Sequence, residues 1–447
     1  MNLVPLLLAA QATLTVGASG DYASITEALR AAAPGDTIVV QAGVYREHLV
    51  IEHPVVLLGQ DGAIIDGDRQ GIVLTVLAPA TIEGFTVRGS GAVQSTEDAG
   101  LLAENAADLR IAGNRFEDVL FGIYLKNCPG AVIADNEIAG KPIPIPLRGD
   151  GIRLWYSPGG IISGNTVWQS RDVVIWFSDS TTTSDNVVTE SRYGLHYMYS
   201  HENVFERNRF EANDVGAFIM YSHGITFREN VFANARGTSG RGLGFKDSDD
   251  IRAVGNVMVK NAVGISIDNS PSSDRSVNVF ARNVVAYNDV GISMLPSVAR
   301  NTFEQNEFID NVTPVAVTGG GTALGNRWAG NYWSEYEGFD ADGDDRGDTP
   351  FVFERLSDDL LMKHAPLRVF SLSPAAASLN VLSRAFPLLR PEAIVIDSTP
   401  RIGAPEPIDT TDAPAAPSLF AAFMLFGVAS GAAGLAVWLG RPLGGQA

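Results

Sequence analysis

From residue 122 onward, apolar and polar positions alternate in short runs. Each run opens on Gly or Asp and is followed fourteen positions later by Asn-x-apolar. The register holds six times, pairing Gly122 with Asn136, Gly151 with Asn165, Asp172 with Asn186, Gly194 with Asn208, Gly216 with Asn230 and Gly242 with Asn256. Two looser copies pair Gly264 with Asn283 and Gly291 with Asn306. Alternation of period two marks strands, and self-similarity at 20 to 30 residues marks a solenoid of short strands joined by tight corners. One such turn cannot bury its own apolar face, whereas stacked turns share a core and pair their backbones about 4.8 Å apart. The predicted fold is all-β, a right-handed parallel β-helix.

Stacking turns equivalent positions into columns. Offsets +1 and +3 from the opening residue are apolar and predicted to face inward, as in Leu195 and Tyr197 or Ala217 and Ile219. Offsets +2 and +4 must then face outward. The +6 column is small, Cys128 followed by Ser157, Ser178, Ser200, Ser222, Ser248, Ser270 and Ser297, as a repeated corner requires. This column and the Asn column read as structural.

The chain divides into a possible signal peptide at 1–12, a β-helix at 13–335, and a C-terminal cap with an amphipathic segment at 336–399. A Pro-rich linker at 400–417 and a transmembrane helix at 418–440 follow. Ser24 to Ala33 reads as a short helix that caps the first coil, whose open backbone would otherwise invite pairing. The prolines at 142, 144 and 146 mark a surface insert, and Trp328, Tyr332, Trp333 and Tyr336 mark the lower end cap. Leu419 to Leu439 carries no charge over 21 residues, enough for a span of about 30 Å. Arg441 follows it, which places the large domain outside the cytoplasm on a membrane tether.

Composition narrows the partners. The net charge is −19, which disfavours nucleic acid and an acidic polysaccharide as partners. A single cysteine excludes an internal disulfide.

The chemistry lies in the outward columns. At +4 the central turns carry Trp155, Trp176, Met198 and Met220, flanked by Lys126 and Lys246. The +2 column adds His196 and Phe218, and the +7 column adds His201 and His223, so Met-Tyr-Ser-His occurs twice, 22 residues apart. Large apolar groups on an outer strip indicate a binding surface, here Trp155, Trp176, Phe218 and Lys246. Thioether and imidazole without thiolate suit Cu(I) better than zinc, magnesium or calcium, which nominates Met198, Met220, His201, His223 and His196. Duplication of a repeat would produce the same twin motif, yet neighbouring turns carry Pro158, Asp179 and Asp249 at +7, so the corner does not demand His. Separately, Asp340, Asp342, Asp344, Asp345 and Asp348 alternate around glycines like a calcium loop, but Phe351 stands where an EF-hand places its bidentate Glu.

The segment RYGLHYMYS at 192–200, the second Met-Tyr-Ser-His and GNYWSEYEGFDADGDDRGDTPF at 330–351 resemble the NosD family of periplasmic maturation factors for nitrous oxide reductase. The Asp21 to Tyr45 stretch resembles the first turn of carbohydrate-active β-helices more widely. The NosD resemblance implies copper delivery to the reductase in company with an ABC transporter, and no catalysis by this chain. A C-terminal membrane helix would depart from family members that look soluble. The rival class is a polysaccharide lyase or epimerase on the same fold, for which Arg153, Lys126, Lys246 and His196 supply the cations and base that uronate chemistry needs. A third reading is an exported scaffold or adhesin, which would tolerate loss of the Met and His.

Overall fold

The computed structural model describes residues 11–237, 239–355, 373–386 and 392–403. The signal segment expected over the first residues and the membrane helix expected at Leu419 to Leu439 lie outside them, apart from Gln11 and Ala12. Among the described residues no helix is long and apolar enough to cross a membrane.

Three parallel sheets of 14, 12 and 13 strands run the length of a β-solenoid. One turn shows the plan: Tyr193–Met198 lies in the 12-stranded sheet, Val204–Glu206 in the 14-stranded one and Arg209–Glu211 in the 13-stranded one, before Val215–Met220 stacks on the first strand. The 12-stranded sheet carries the Gly-strands and is called here the Gly face. Its +1 and +3 residues are inside, with Leu195, Tyr197, Ala217 and Ile219 fully buried. Rings also stack between turns within the core, Phe205 on Phe227 at 4.8 Å and Phe210 on Phe232 at 5.3 Å. Offset stacking adds to area burial, so the core gains order along the axis as well as across it.

The Asn column closes one corner. From Asn114 to Asn306 each backbone N–H donates to Oδ1 of the Asn one turn on, at 2.9–3.1 Å. Each side-chain amide also donates to that oxygen and to a core carbonyl, as Asn208 does to Thr183. The Ser column closes another corner, with the Cys128, Ser157 and Ser178 amides donating to the next Oγ at 2.9–3.0 Å. Buried backbone N–H groups at a tight corner must find acceptors, and the repeated side chains supply them.

Both ends are sealed. The helix Ile25–Ala31, capped by Ser24 on Glu27 N–H, buries Ile25, Ala28 and Leu29. At the far end Trp328 and Trp333 form the last rung of the solenoid and stack on Phe303 and Phe308. The covering layer is the antiparallel pair Phe351–Phe353 and Val395–Asp397, whose Phe351 ring lies on Trp333 at 4.5 Å. Asp397 ends the Asn ladder, accepting from Asn331 N and Nδ2 as the next Asn would. A second helix, Pro374–Ala385, leaves Val381, Leu382 and Phe386 exposed.

Candidate functional site

The +4 column is continuous. Backbone register aligns Lys126 with Trp155, Trp155 with Trp176, Trp176 with Met198, Met198 with Met220 and Met220 with Lys246. The +2 column aligns His196 with Phe218 on the same outer surface. Trp155, Trp176, Met198 and Met220 are half-buried rather than freely exposed. At the upper end of the column an outer apolar cluster, which alternation alone does not reveal, packs against Trp155, and Trp176 lies against Trp155 in turn. Ala99, Leu102, Leu120, Phe121 and Tyr124 are buried on the outside of the Gly face, with Ile143 of the Pro-rich insert and Trp155 packed against them. The insert is tied down where Gln94 Nε2 donates to the Leu147 and Arg148 carbonyls, both at 3.1 Å.

His196 is engaged on three sides. Its ring stacks on Tyr193 at 4.9 Å, meets Trp176 edge to face at 5.0 Å, and places Nδ1 3.2 Å from Asp172 Oδ2. Asp172 is fully buried and also accepts from Arg192 Nε at 2.9 Å and from Tyr193 N at 3.2 Å. Burial opposes its ionised form, yet the hydrogen bonds from His196 and Arg192 outweigh that and hold its pKa below the usual carboxylate range. One turn back, Asp150 is also fully buried, with Arg153 at 3.3 Å and Arg171 at 3.0 Å. There burial wins over the two guanidinium groups, and the nearby Asp172 charge adds to it, raising the Asp150 pKa to about 6. The Arg153 guanidinium lies over Tyr124, Trp155 and Trp176. Arg153 Nε and Trp176 Nε1 are buried donors with no partner among the described residues, a place for ordered water.

His201 and His223 sit elsewhere on the turn. Between them and the methionines the chain passes a left-handed corner at Tyr199 (φ 48°) and Tyr221 (φ 53°). Their rings stack at 4.0 Å and 13°, so their in-plane lone pairs run parallel and do not converge on one ion. His201 Nδ1 accepts the His223 backbone N–H at 3.2 Å, which leaves the proton of the neutral ring on Nε2. Burial, with the neighbouring His223, lowers the His201 pKa.

The same corner carries a feature the alternating pattern passed over. Tyr156, Phe177, Tyr199 and Tyr221 at +5 stack face to face at 4.7, 5.3 and 5.0 Å. All four adopt positive φ, where adjoining turns use Asn127, Asp247 and Asn269. A left-handed conformation costs a bulky residue about 1–2 kcal/mol, offset in part by stacking at about 0.5–1.5 kcal/mol per pair. The backbone therefore does not ask for aromatics here. Reading the +5 column as a column would have exposed the ladder.

The cations that uronate chemistry would need are already committed. Lys126 pairs with Glu97 and Glu104, Lys246 lies 4.0 Å from Asp268, Arg153 serves Asp150 and His196 serves Asp172. At the far end, carboxylate oxygens of Asp340, Asp342 and Asp344 lie within 4.8 Å of one another. The charge of Asp344 is the main cause that raises the Asp342 pKa.

A family model described as "Periplasmic copper-binding protein (NosD)" matches residues 134–338, and one described only as a protein of unknown function matches residues 12–210. A "Probable ABC transporter binding protein NosD" of Pseudomonas aeruginosa is 30% identical over 448 residues, covering 89% of this chain and 96% of the relative. The chain belongs to the NosD family. A protein of the same description from Stutzerimonas stutzeri is 28% identical, covering 81% of this chain and 86% of its own length. The family is thus described as periplasmic and copper-binding, and its relatives are named as binding proteins rather than enzymes. Among solved structures, the catalytic unit of an α-1,3-glucanase from Streptomyces thermodiastaticus matches at TM-score 0.46 and 16% identity, over 69% of this chain and 62% of the other. The A-module of the mannuronan C-5 epimerase AlgE6 of Azotobacter vinelandii matches at TM-score 0.39 and 12% identity, over 69% of this chain and 94% of the other. Likenesses this distant carry no argument about what a NosD-family chain does.

Proposed function

We propose that this chain takes up Cu(I) on the outer Gly face and hands it to nitrous oxide reductase, working outside the cytoplasm beside an ABC transporter. The observation that carries this reading is the register of Met198 with Met220 next to His196, two thioethers and one imidazole on adjoining strands of one surface. Such a soft, ligand-poor, half-buried set favours Cu(I) over harder ions and releases it more readily than a closed site. His201 and His223 stand outside that set. Trp155, Trp176 and Phe218 supply apolar anchors for the acceptor, with the Tyr156 to Tyr221 ladder beside them and Lys246 at the edge. The segment 418–440 tethers the solenoid to the membrane. The family description and the relatives' names support a copper and transporter role; the reductase as acceptor is our inference.

The test is anaerobic competition of the full chain with a chromophoric Cu(I) chelator, followed by copper analysis of reductase from cells carrying the variant. Wild type should withdraw copper, Met198→Ala with Met220→Ala should not, and that strain should yield copper-poor reductase. Equal competition by both proteins would remove the strip as the donor.

A further inference from the structure

We propose that Asp172 is a positioning residue, which fixes His196 as the tautomer whose Nε2 lone pair is free to bind copper. The inference rests on the copper reading above and goes beyond it, because it concerns the copper-free protein and a residue that touches no metal.

An ionised carboxylate only accepts hydrogen bonds, so the His196 nitrogen 3.2 Å from Asp172 Oδ2 must carry the proton. That nitrogen is Nδ1. In the neutral ring Nε2 then holds the lone pair, on the same outer surface that carries the Met198 and Met220 column. Rotation away from this geometry is opposed twice, by Tyr193 stacked on one ring face and by the Trp176 edge contact. Asp172 is held in turn. Its side chain is fully buried, bridged by Arg192, with Arg171 Nε at 3.8 Å. Three linked layers therefore stand behind that nitrogen, two arginines, one carboxylate and one imidazole. Outer-shell carboxylates that orient a histidine in this way typically govern metal affinity by about tenfold to a hundredfold.

The contrast with the other pair is direct. His201 has its Nδ1 lone pair occupied by a backbone N–H and its proton on Nε2, so copper at Nδ1 must break that hydrogen bond and copper at Nε2 must displace the proton. His196 needs neither. The sequence nominates all three histidines as ligands, whereas their partners separate them.

The experiment uses the full chain labelled with 15N-histidine, six residues in all, assigned with His196→Gln. Long-range proton–nitrogen correlation without copper should show His196 protonated at Nδ1 and bare at Nε2. Asp172→Asn should lose that single tautomer and weaken Cu(I) competition by about tenfold to a hundredfold. Nε2–H in the wild-type apoprotein would overturn the proposal, as would unchanged copper affinity in a folded Asp172→Asn chain. Should that variant not fold, the wild-type tautomer decides alone. A wild type with the expected tautomer that takes no Cu(I) removes the copper reading and this proposal with it, whereas copper binding unaffected by Asp172 removes only the proposal.

Discussion

Replacing Asp397 should unlatch the lower end of the solenoid. Its side chain is fully buried and accepts five hydrogen bonds. Oδ2 takes Asn331 N at 3.0 Å, Asn331 Nδ2 at 2.8 Å and Trp333 Nε1 at 3.2 Å, while Oδ1 takes Gly330 N at 3.2 Å and Thr399 N at 3.1 Å. The ladder amides all point their donors toward this end, so an anion is well placed to receive them. Asp397→Ala leaves three buried donors without an acceptor. At about 1–3 kcal/mol for each buried group, with water entering the vacated space to satisfy some, the loss is about 3–5 kcal/mol. Asp397→Asn keeps an acceptor where Oδ2 stands but turns its amide toward the Gly330 and Thr399 donors, losing about 1–3 kcal/mol. A stacked repeat opens from its ends, so a global melting point is the wrong gauge. Native-state hydrogen exchange is the right one. In the Ala variant the amides of Arg327–Ala329 and Tyr332–Trp333 should exchange about a hundredfold to several thousandfold faster, at 1.4 kcal/mol per decade. Those of Val204–Glu206, many turns away, should be unchanged. Equal rates in the Asn and Ala variants, or equal acceleration at both places, would refute the reasoning.

Further predictions concern charge and ligands. Asp150 has a folded pKa of about 6 against 3.8 for the free group, so its protonated form is favoured in the fold and the associated stability fades as pH rises through 6. Between pH 5 and 7.5 wild type should lose about 1.4 kcal/mol relative to Asp150→Asn in urea unfolding followed at the Gly face, and parallel pH profiles would contradict this. His201→Ala should leave Cu(I) competition unchanged while weakening only the local corner, as the stacked pair predicts. Calcium should slow exchange of the amides at Gly343 and Asp345, which Asp340 already holds, and Asp344→Asn should abolish the effect. Replacing Tyr199 and Tyr221 by Asn, the residue that neighbouring turns use at the same φ, should leave stability within about 1 kcal/mol but weaken capture of the copper acceptor in a pull-down.

The parallel solenoid was legible because stacking makes one turn's constraints recur in the next. Inward positions must be apolar at +1 and +3, and corner amides must find an acceptor, so Leu195, Tyr197, Asn208 and Ser200 reappear as columns. The Gly-strand register of Met198 and Met220 follows from the same arithmetic, as does the N-terminal helix, set by Ser24 and the apolar spacing of Ile25, Ala28 and Leu29. The aromatic end looked like a cap because Trp328 and Trp333 are larger than the usual core residue, yet Asn326 and Asn331 still hold their ladders, and the covering strand arrives from some sixty residues later.

Sequence by itself determined which residues share a column, since that depends only on spacing and on the need to bury one face. Tertiary structure decided what each outward side chain touches. Asp172 reaches His196 across one turn and Asp397 reaches Asn331 across 66 positions, and no periodicity encodes such contacts. They arise from loop insertions, rotamers and the return of the chain end. Three histidines nominated alike as soft ligands become one ring held by a buried carboxylate and two rings stacked at an outer corner. That difference lies in hydrogen-bond partners, which only the folded backbone brings within reach.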